Sequence, residues 1–126
     1  NLVSCLLIIL AFPLAVLGGQ AIRTAVFFHE IGRWYNAVAW MATHSKPNQG
    51  NRIELPSLYS DLAYGVHYRH DDACGLTIDF FWGAGFPVKH TVRRYAVDPE
   101  WINIKECQTG WSRGRMISER WYELSD

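Results

Sequence analysis

Residues 62–82, "LAYGVHYRHDDACGLTIDFFW", decide the fold, because apolar and polar residues alternate on both sides of a polar turn. Successive side chains of a strand point to opposite faces of a sheet, so each half predicts a strand with one apolar face. The middle, "HDDACG", has the composition of a turn. The stretch therefore predicts an antiparallel hairpin. Its apolar face comprises Leu62, Tyr64, Val66 and Tyr68 on the first strand and Leu76, Ile78, Phe80 and Trp82 on the second.

A third alternating strand follows the turn "GAGFP" in "VKHTVRRYAV", residues 88–97. The three strands predict an antiparallel meander, and its apolar face requires a cover. Asp79 lies opposite that face and is expected to be exposed to solvent. Beyond "DPE" the pattern weakens, and "MISERWYEL", residues 116–124, fits a strand and a short helix equally well.

The preceding segment, residues 20–46, predicts the cover. Its apolar residues recur at steps of three and four, the spacing of an amphipathic helix, and Pro47 ends the pattern. The stripe fits packing against the sheet, and its aromatic residues also fit a belt at a membrane interface. The residues of this possible belt are Phe27, Phe28, Trp34, Tyr35 and Trp40.

The N-terminal run is the most apolar part of the chain. Residues 1–22, "NLVSCLLIILAFPLAVLGGQAI", carry no charged side chain, and Arg23 is the first charge. About 20 apolar residues in a helix match the hydrocarbon thickness of a bilayer. Residues 1–19 therefore predict a transmembrane helix. A signal peptide, a buried helix and a lipobox at Cys5 are the alternatives, and "LGGQA" resembles a cleavage site.

These elements predict an α+β protein in which an N-terminal transmembrane helix continues into an amphipathic helix that packs on a small antiparallel β-meander. The predicted divisions are 1–19 for the transmembrane helix, 20–46 for the amphipathic helix and 47–126 for a β-rich domain. Pro13 and the pair Gly18–Gly19 mark expected kinks.

Two of the three cysteines, Cys74 and Cys107, lie in the predicted soluble part. Two cysteines in a small domain after a membrane anchor predict a disulfide in an oxidising compartment. Two buried thiols in a reducing compartment are the alternative. The disulfide indicates a periplasmic or extracellular domain on a single-pass membrane protein.

Two motifs suggest chemistry, and neither is accompanied by the residues that the chemistry requires. "GWSRG", residues 110–114, spells G-x-S-x-G, but no His follows Ser112. In "HYRHDD", His67 and His70 are expected on opposite faces of a strand, which separates them as metal ligands. We therefore predict no catalytic, cofactor-binding or metal-binding residues.

The segment "GWSRG" is interpreted instead as a turn that exposes Trp111, Arg113 and Arg115, a candidate interaction surface, because Trp and Arg are enriched in interfaces. Lys and Arg total 12 and Asp and Glu total 12. This balance gives no electrostatic basis for binding nucleic acid. The predicted partners are the lipid bilayer, through residues 1–19, and other protein subunits.

Three function classes remain open. A membrane-anchored accessory subunit or binding module without catalytic activity comes first, because it requires no motif that the sequence lacks. The second is a filament subunit: an apolar and then amphipathic helix covering a meander with a late disulfide resembles the layout of type IV pilins and pseudopilins. The third is a small membrane-anchored enzyme or a periplasmic inhibitor or immunity protein.

Overall fold

A computed structural model describes residues 2–48, 52–71, 75–85, 89–97, 111 and 113–125. For residues 12–18, 71, 83–85 and 89–90 it describes the backbone alone. The chain forms two compact units, Asn1–Gly32 and Arg33–Asp126.

The first unit contains helix α1, Leu2–His29. Its backbone continues to Glu30, whose N–H donates to the carbonyl oxygens of Val26 (3.0 Å) and Phe27 (3.2 Å). The first ten described side chains of α1 are all exposed, and those at positions 2, 3 and 6–10 are large and apolar. This end of the helix therefore has no polar face.

No helix in the described part of the chain meets the combined requirements of length and apolar character for crossing a membrane. The predicted transmembrane helix over residues 1–19 is thus not supported by the structure.

The second unit is built on one antiparallel sheet of five strands in the order β1-β2-β3-β5-β4. The predicted hairpin is confirmed as β1, Gly65–Asp71, and β2, Gly75–Gly85. The third predicted strand is β3, Lys89–Ala96. Leu62 lies before the sheet, in a turn where its N–H donates to the Tyr59 carbonyl oxygen at 3.0 Å.

Residues 116–124, for which strand and helix were equally consistent, form most of a second hairpin. Strand β4 is Arg113–Ser118 and strand β5 is Trp121–Ser125. Because β5 pairs with β3 as well as with β4, the hairpin extends the meander into the five-stranded sheet.

Helix α2, Ile31–His44, covers one face of this sheet, as the amphipathic pattern predicts. Trp34 is 1% exposed, and its ring meets Phe80 edge-on at 5.3 Å and Trp121 at 5.7 Å between centroids. Three large aromatic rings from α2, β2 and β5 thus form the centre of the core on this face.

The opposite face is also buried, which corrects the expectation that Asp79 faces solvent. Asp79 is 2% exposed, and its two carboxylate oxygens accept hydrogen bonds from Arg94 Nε at 2.7 Å and Nη2 at 2.8 Å. Arg69 Nε lies 3.6 Å from the same carboxylate. Asp79 and Arg94 are direct cross-strand partners on β2 and β3. A buried carboxylate requires such a partner, because desolvation of an unpaired charge is costly.

Consecutive arginines on β3 therefore serve opposite faces. Arg93 lies on the α2 side, where its guanidinium carbon is 4.9 Å from the centroid of the Trp34 ring and 4.3 Å from that of Trp82. Its Nη2 is 4.0 Å from Oε2 of Glu123, its direct partner on β5. Aromatic faces and a carboxylate together stabilise this buried guanidinium.

Candidate functional site

An open pocket of about 300 Å³ lies at the turn between β4 and β5. Three elements of the second unit supply its lining: α2 contributes Tyr35, β3 contributes Tyr95, and the turn contributes Glu119 and Arg120. The pocket is thus lined by two aromatic residues, one acidic residue and one basic residue. We take it as the candidate site.

The aromatic wall is held by the core beneath it. The Tyr35 ring meets Tyr95 and Trp121 edge-on, with both centroids at 5.9 Å, and the Tyr95 and Trp121 centroids are 5.0 Å apart. Trp121 is fully buried, Tyr95 is nearly so, and Tyr35 is 43% exposed. Edge-to-face packing on a buried ring orients the exposed tyrosine with little freedom.

The charged wall is a two-residue turn, Glu119–Arg120, flanked by the paired residues Ser118 and Trp121. Arg120 has a φ of 68°, in the left-handed region that residues other than Gly and Asn rarely adopt. Its carbonyl oxygen accepts the Ala96 N–H at 2.8 Å, which fixes the turn to the end of β3. Non-glycine residues in this conformation are strained and are concentrated at functional sites.

The Arg120 guanidinium is directed to the aromatic wall, where its Nη1 donates to the Tyr95 hydroxyl at 3.4 Å. This hydrogen bond, followed by the electrostatic effect of the same hydroxyl, raises the pKa of Arg120 above its ordinary value. The side chain is therefore cationic at every physiological pH. A guanidinium carries five N–H donors, and the long bond to Tyr95 leaves most of this capacity for a ligand.

The predicted interaction surface lies elsewhere, and its three residues differ in environment. Trp111 is half-buried against a cluster of Phe81, Val92 and Leu124, so it is less exposed than the sequence predicts. Arg113 is exposed on β4. Arg115 is half-buried, and its Nε lies 3.4 Å from Glu123 Oε1. Arg113 and Arg115 belong to a strand and not to a turn.

The predicted aromatic belt is divided between core and surface. Phe27 and Trp34 are buried. Tyr35 lines the pocket, and Phe28 is exposed on α1. Trp40 is half-buried and stacks on the His44 ring at 4.6 Å.

Several residues of the quoted motifs and of the predicted disulfide fall outside the described part of the chain: Asp72, Cys74, Cys107, Gly110 and Ser112. The Cys74–Cys107 disulfide therefore stays a prediction, and the described residues contain none. Cys5, which is described, is an exposed free cysteine. The described residues include no group of three or more potential metal ligands.

Tyr95, Glu119 and Arg120 were missed as site residues. Tyr95 stands at a position of its strand where alternation predicts an ordinary core residue. Glu119–Arg120 carries no turn signature, because two-residue turns between strands favour Gly, Asn or Asp. No pattern in the sequence distinguishes these residues from an ordinary strand and its polar end.

An ion pair outside the pocket, between α2 and the loop before β1, stabilises the second unit. Arg33 donates to both carboxylate oxygens of Asp61, at 2.8 and 2.6 Å, and to the Leu58 carbonyl oxygen at 2.9 Å. The hydrogen bond from Arg33 is the main cause that lowers the pKa of Asp61 below 3.8.

We expect Asp61→Asn to lower stability slightly at pH 7, since the pair is exposed. A carboxyl group whose pKa is lower in the folded state contributes stability above its unfolded pKa and loses it as pH falls through the folded pKa. The difference in melting temperature between wild type and variant should therefore shrink below about pH 4. Glu54→Gln, which removes an exposed carboxylate from the same loop, is the control. A constant difference down to pH 2 would contradict the ion pair.

Comparisons with known proteins give no relative from which a function follows: no family model, no curated protein and no solved structure matches this chain.

Proposed function

We propose that the protein is a non-catalytic binding module, or accessory subunit, anchored in a membrane through the apolar run of residues 1–19, with its β-rich domain in the periplasm or outside the cell. The observation that carries the proposal is the exposed apolar beginning of α1. Its large side chains are between 53% and 82% exposed from Leu2 to Leu10.

This surface requires a cover. Burial of apolar surface is favourable by about 25 cal/mol per Å², and monomeric soluble proteins rarely expose contiguous patches of more than a few hundred Å². The segment Leu2–Leu10 is apolar around the whole helix, so packing of one stripe against another protein would leave the remaining sides exposed. Hydrocarbon chains surround a helix on every side, and they are the cover that this distribution favours.

The binding role has support at the other end of the chain. The pocket displays Tyr and Arg, two of the residue types that contribute most to interfaces, on a rigid base. Arg113 and Met116, which precede the pocket turn in the sequence, are exposed on β4. Interfaces are built from such aromatic and Arg anchors within a polar surround.

The test of membrane attachment is fractionation of the full chain after cell lysis, with washes in high salt and in alkaline carbonate. We expect the protein in the membrane fraction until detergent is added. Replacement of two apolar residues by charge, Leu6→Asp with Ile9→Asp, should release it, because each charged side chain within the hydrocarbon costs about 2.5–3.5 kcal/mol on insertion scales.

Met116→Asp is the control, since it places one carboxylate at an exposed apolar position of the sheet, and it should leave the distribution unchanged. Recovery of the unmodified chain in the soluble fraction without detergent would contradict the anchor.

A pilin-like filament subunit is the second candidate, because copies of α1 packed around one another could cover an apolar helix on every side. Electron microscopy of detergent-free preparations separates the two functions. Ordered fibres that disappear in the Leu6→Asp, Ile9→Asp variant favour the filament, and their absence from membrane-bound protein favours the anchored module.

A further inference from the structure

We propose that the pocket formed by Tyr35, Tyr95, Glu119 and Arg120 binds a free α-amino acid with an aromatic side chain. The inference names a ligand class for the pocket that supports the binding role proposed above, so it rests on that role, and it is independent of membrane attachment.

The charges of the pocket select a zwitterion. Glu119 and Arg120 are consecutive in the turn and both line the pocket, which therefore carries one acidic and one basic residue. A phosphate or dicarboxylate would gain from Arg120 and be repelled by Glu119. A simple cation would experience the reverse. An α-amino acid carries its carboxylate and ammonium group on one carbon, and it matches both side chains simultaneously.

The conformation of Arg120 points to the same role. The Arg120 backbone has a φ of 68°, a strained conformation that Gly or Asn adopts at lower cost. Its guanidinium makes one long hydrogen bond. Tyr95 holds the Arg120 side chain over the pocket, and Ala96 fixes its backbone. The Arg120 N–H groups that would donate to the ligand's carboxylate are therefore positioned before the ligand arrives, which reduces the entropy lost on binding.

The aromatic wall and the volume define the rest of the ligand. Tyr35 and Tyr95 present ring surface against which an aromatic side chain can pack edge-on or offset, as they pack with each other. A volume of about 300 Å³ lies at the small end of ligand pockets, which run from about 300 to 1,000 Å³. A space of this size accommodates one amino acid.

The experiment is isothermal titration of the full chain in mild detergent with three probes that share one ring: L-phenylalanine, 3-phenylpropionate, which lacks the ammonium group, and 2-phenylethylamine, which lacks the carboxylate. We expect L-phenylalanine to bind at least about tenfold more tightly than either, because each charge-assisted hydrogen bond contributes about a factor of ten or more.

Two variants assign the charges to residues. In Arg120→Asn the left-handed turn is retained, because Asn tolerates this conformation. L-phenylalanine should then bind about as weakly as 2-phenylethylamine binds to the wild type. In Glu119→Gln, L-phenylalanine and 3-phenylpropionate should bind equally. Arg52→Asn removes the same charge from an exposed position in the loop before β1 and should leave all three affinities unchanged.

Three results would overturn the proposal. They are the absence of binding by L-phenylalanine at about 10 mM, equal binding of the three probes to the wild type, and an equal loss of affinity in Arg52→Asn and Arg120→Asn. Melting temperatures within a few degrees of the wild type confirm that each variant is folded. None of these results bears on membrane attachment, so failure here removes the ligand assigned to the pocket and leaves the proposed anchor standing.

Discussion

Asp79→Asn is expected to lower the free energy of unfolding by about 3–5 kcal/mol, because it leaves the buried guanidinium of Arg94 without its carboxylate. Both residues are 2% exposed, so water cannot replace the lost partner. For a small domain with a stability of about 5–15 kcal/mol, the change removes a large share of the total. Denaturant unfolding followed by circular dichroism measures it.

The double variant Asp79→Leu, Arg94→Met provides the essential comparison. It removes both charges at similar volume, and replacement of a buried pair by apolar residues is often neutral or stabilising. We expect it to recover most of the loss. Asp61→Asn, which breaks an exposed pair with the same donor type, should have a much smaller effect. Equal effects of Asp79→Asn and Asp61→Asn would show that the Asp79 site is hydrated.

Trp34→Ala is expected to cost about 3–5 kcal/mol through the cavity that it opens between α2 and the sheet. The ring contacts Phe80 and Trp121, and it also lies under the guanidinium of Arg93. Its loss removes the main aromatic contact of α2 and one of the two rings that stabilise a buried cation. The melting temperature of the full chain should fall by more than ten degrees.

Trp40→Ala is the matched control on the same helix, because Trp40 is half-buried and stacks on the nearby His44. Its effect should be no more than about 1 kcal/mol. Trp34→Phe, which keeps an aromatic ring, should fall between the two. A Trp34→Ala variant as stable as Trp40→Ala would contradict the packing of α2 on the sheet.

Periodicity alone determined the main architecture. Strands β1, β2 and β3 follow from alternation, and α2 follows from the apolar steps around Trp34, because a half-buried element must match its own geometric repeat. The covering of the sheet by α2 also follows, since the apolar face of a small sheet requires a partner. The second hairpin was not predicted, because Met116, Ile117 and Trp121 fit helix and strand alike until pairing of β5 with β3, and of β4 with β5, selects the strand.

Tertiary structure decided the positions of charge. By alternation Asp79 lies opposite the apolar face, and only the pairing of β2 with β3 shows that this second face is buried and that Arg94 is its partner. Hydropathy assigns a carboxylate to solvent, whereas a bidentate guanidinium from the neighbouring strand makes burial possible. The two arginines of β3 show the same limit of sequence-based prediction, because strand register alone determines which carboxylate each one contacts.

The candidate site depends on the same kind of information. Tyr35 lies about 60 residues from Tyr95 and 85 from Arg120 in the numbering of the chain, and no local pattern links them. The apolar character of residues 1–22 and the alternation of 62–82 were determined by the sequence, because both are properties of consecutive residues. The pocket was decided by the tertiary structure alone, because it depends on the packing of α2 on β3 and on a left-handed arginine in the turn that closes the second hairpin.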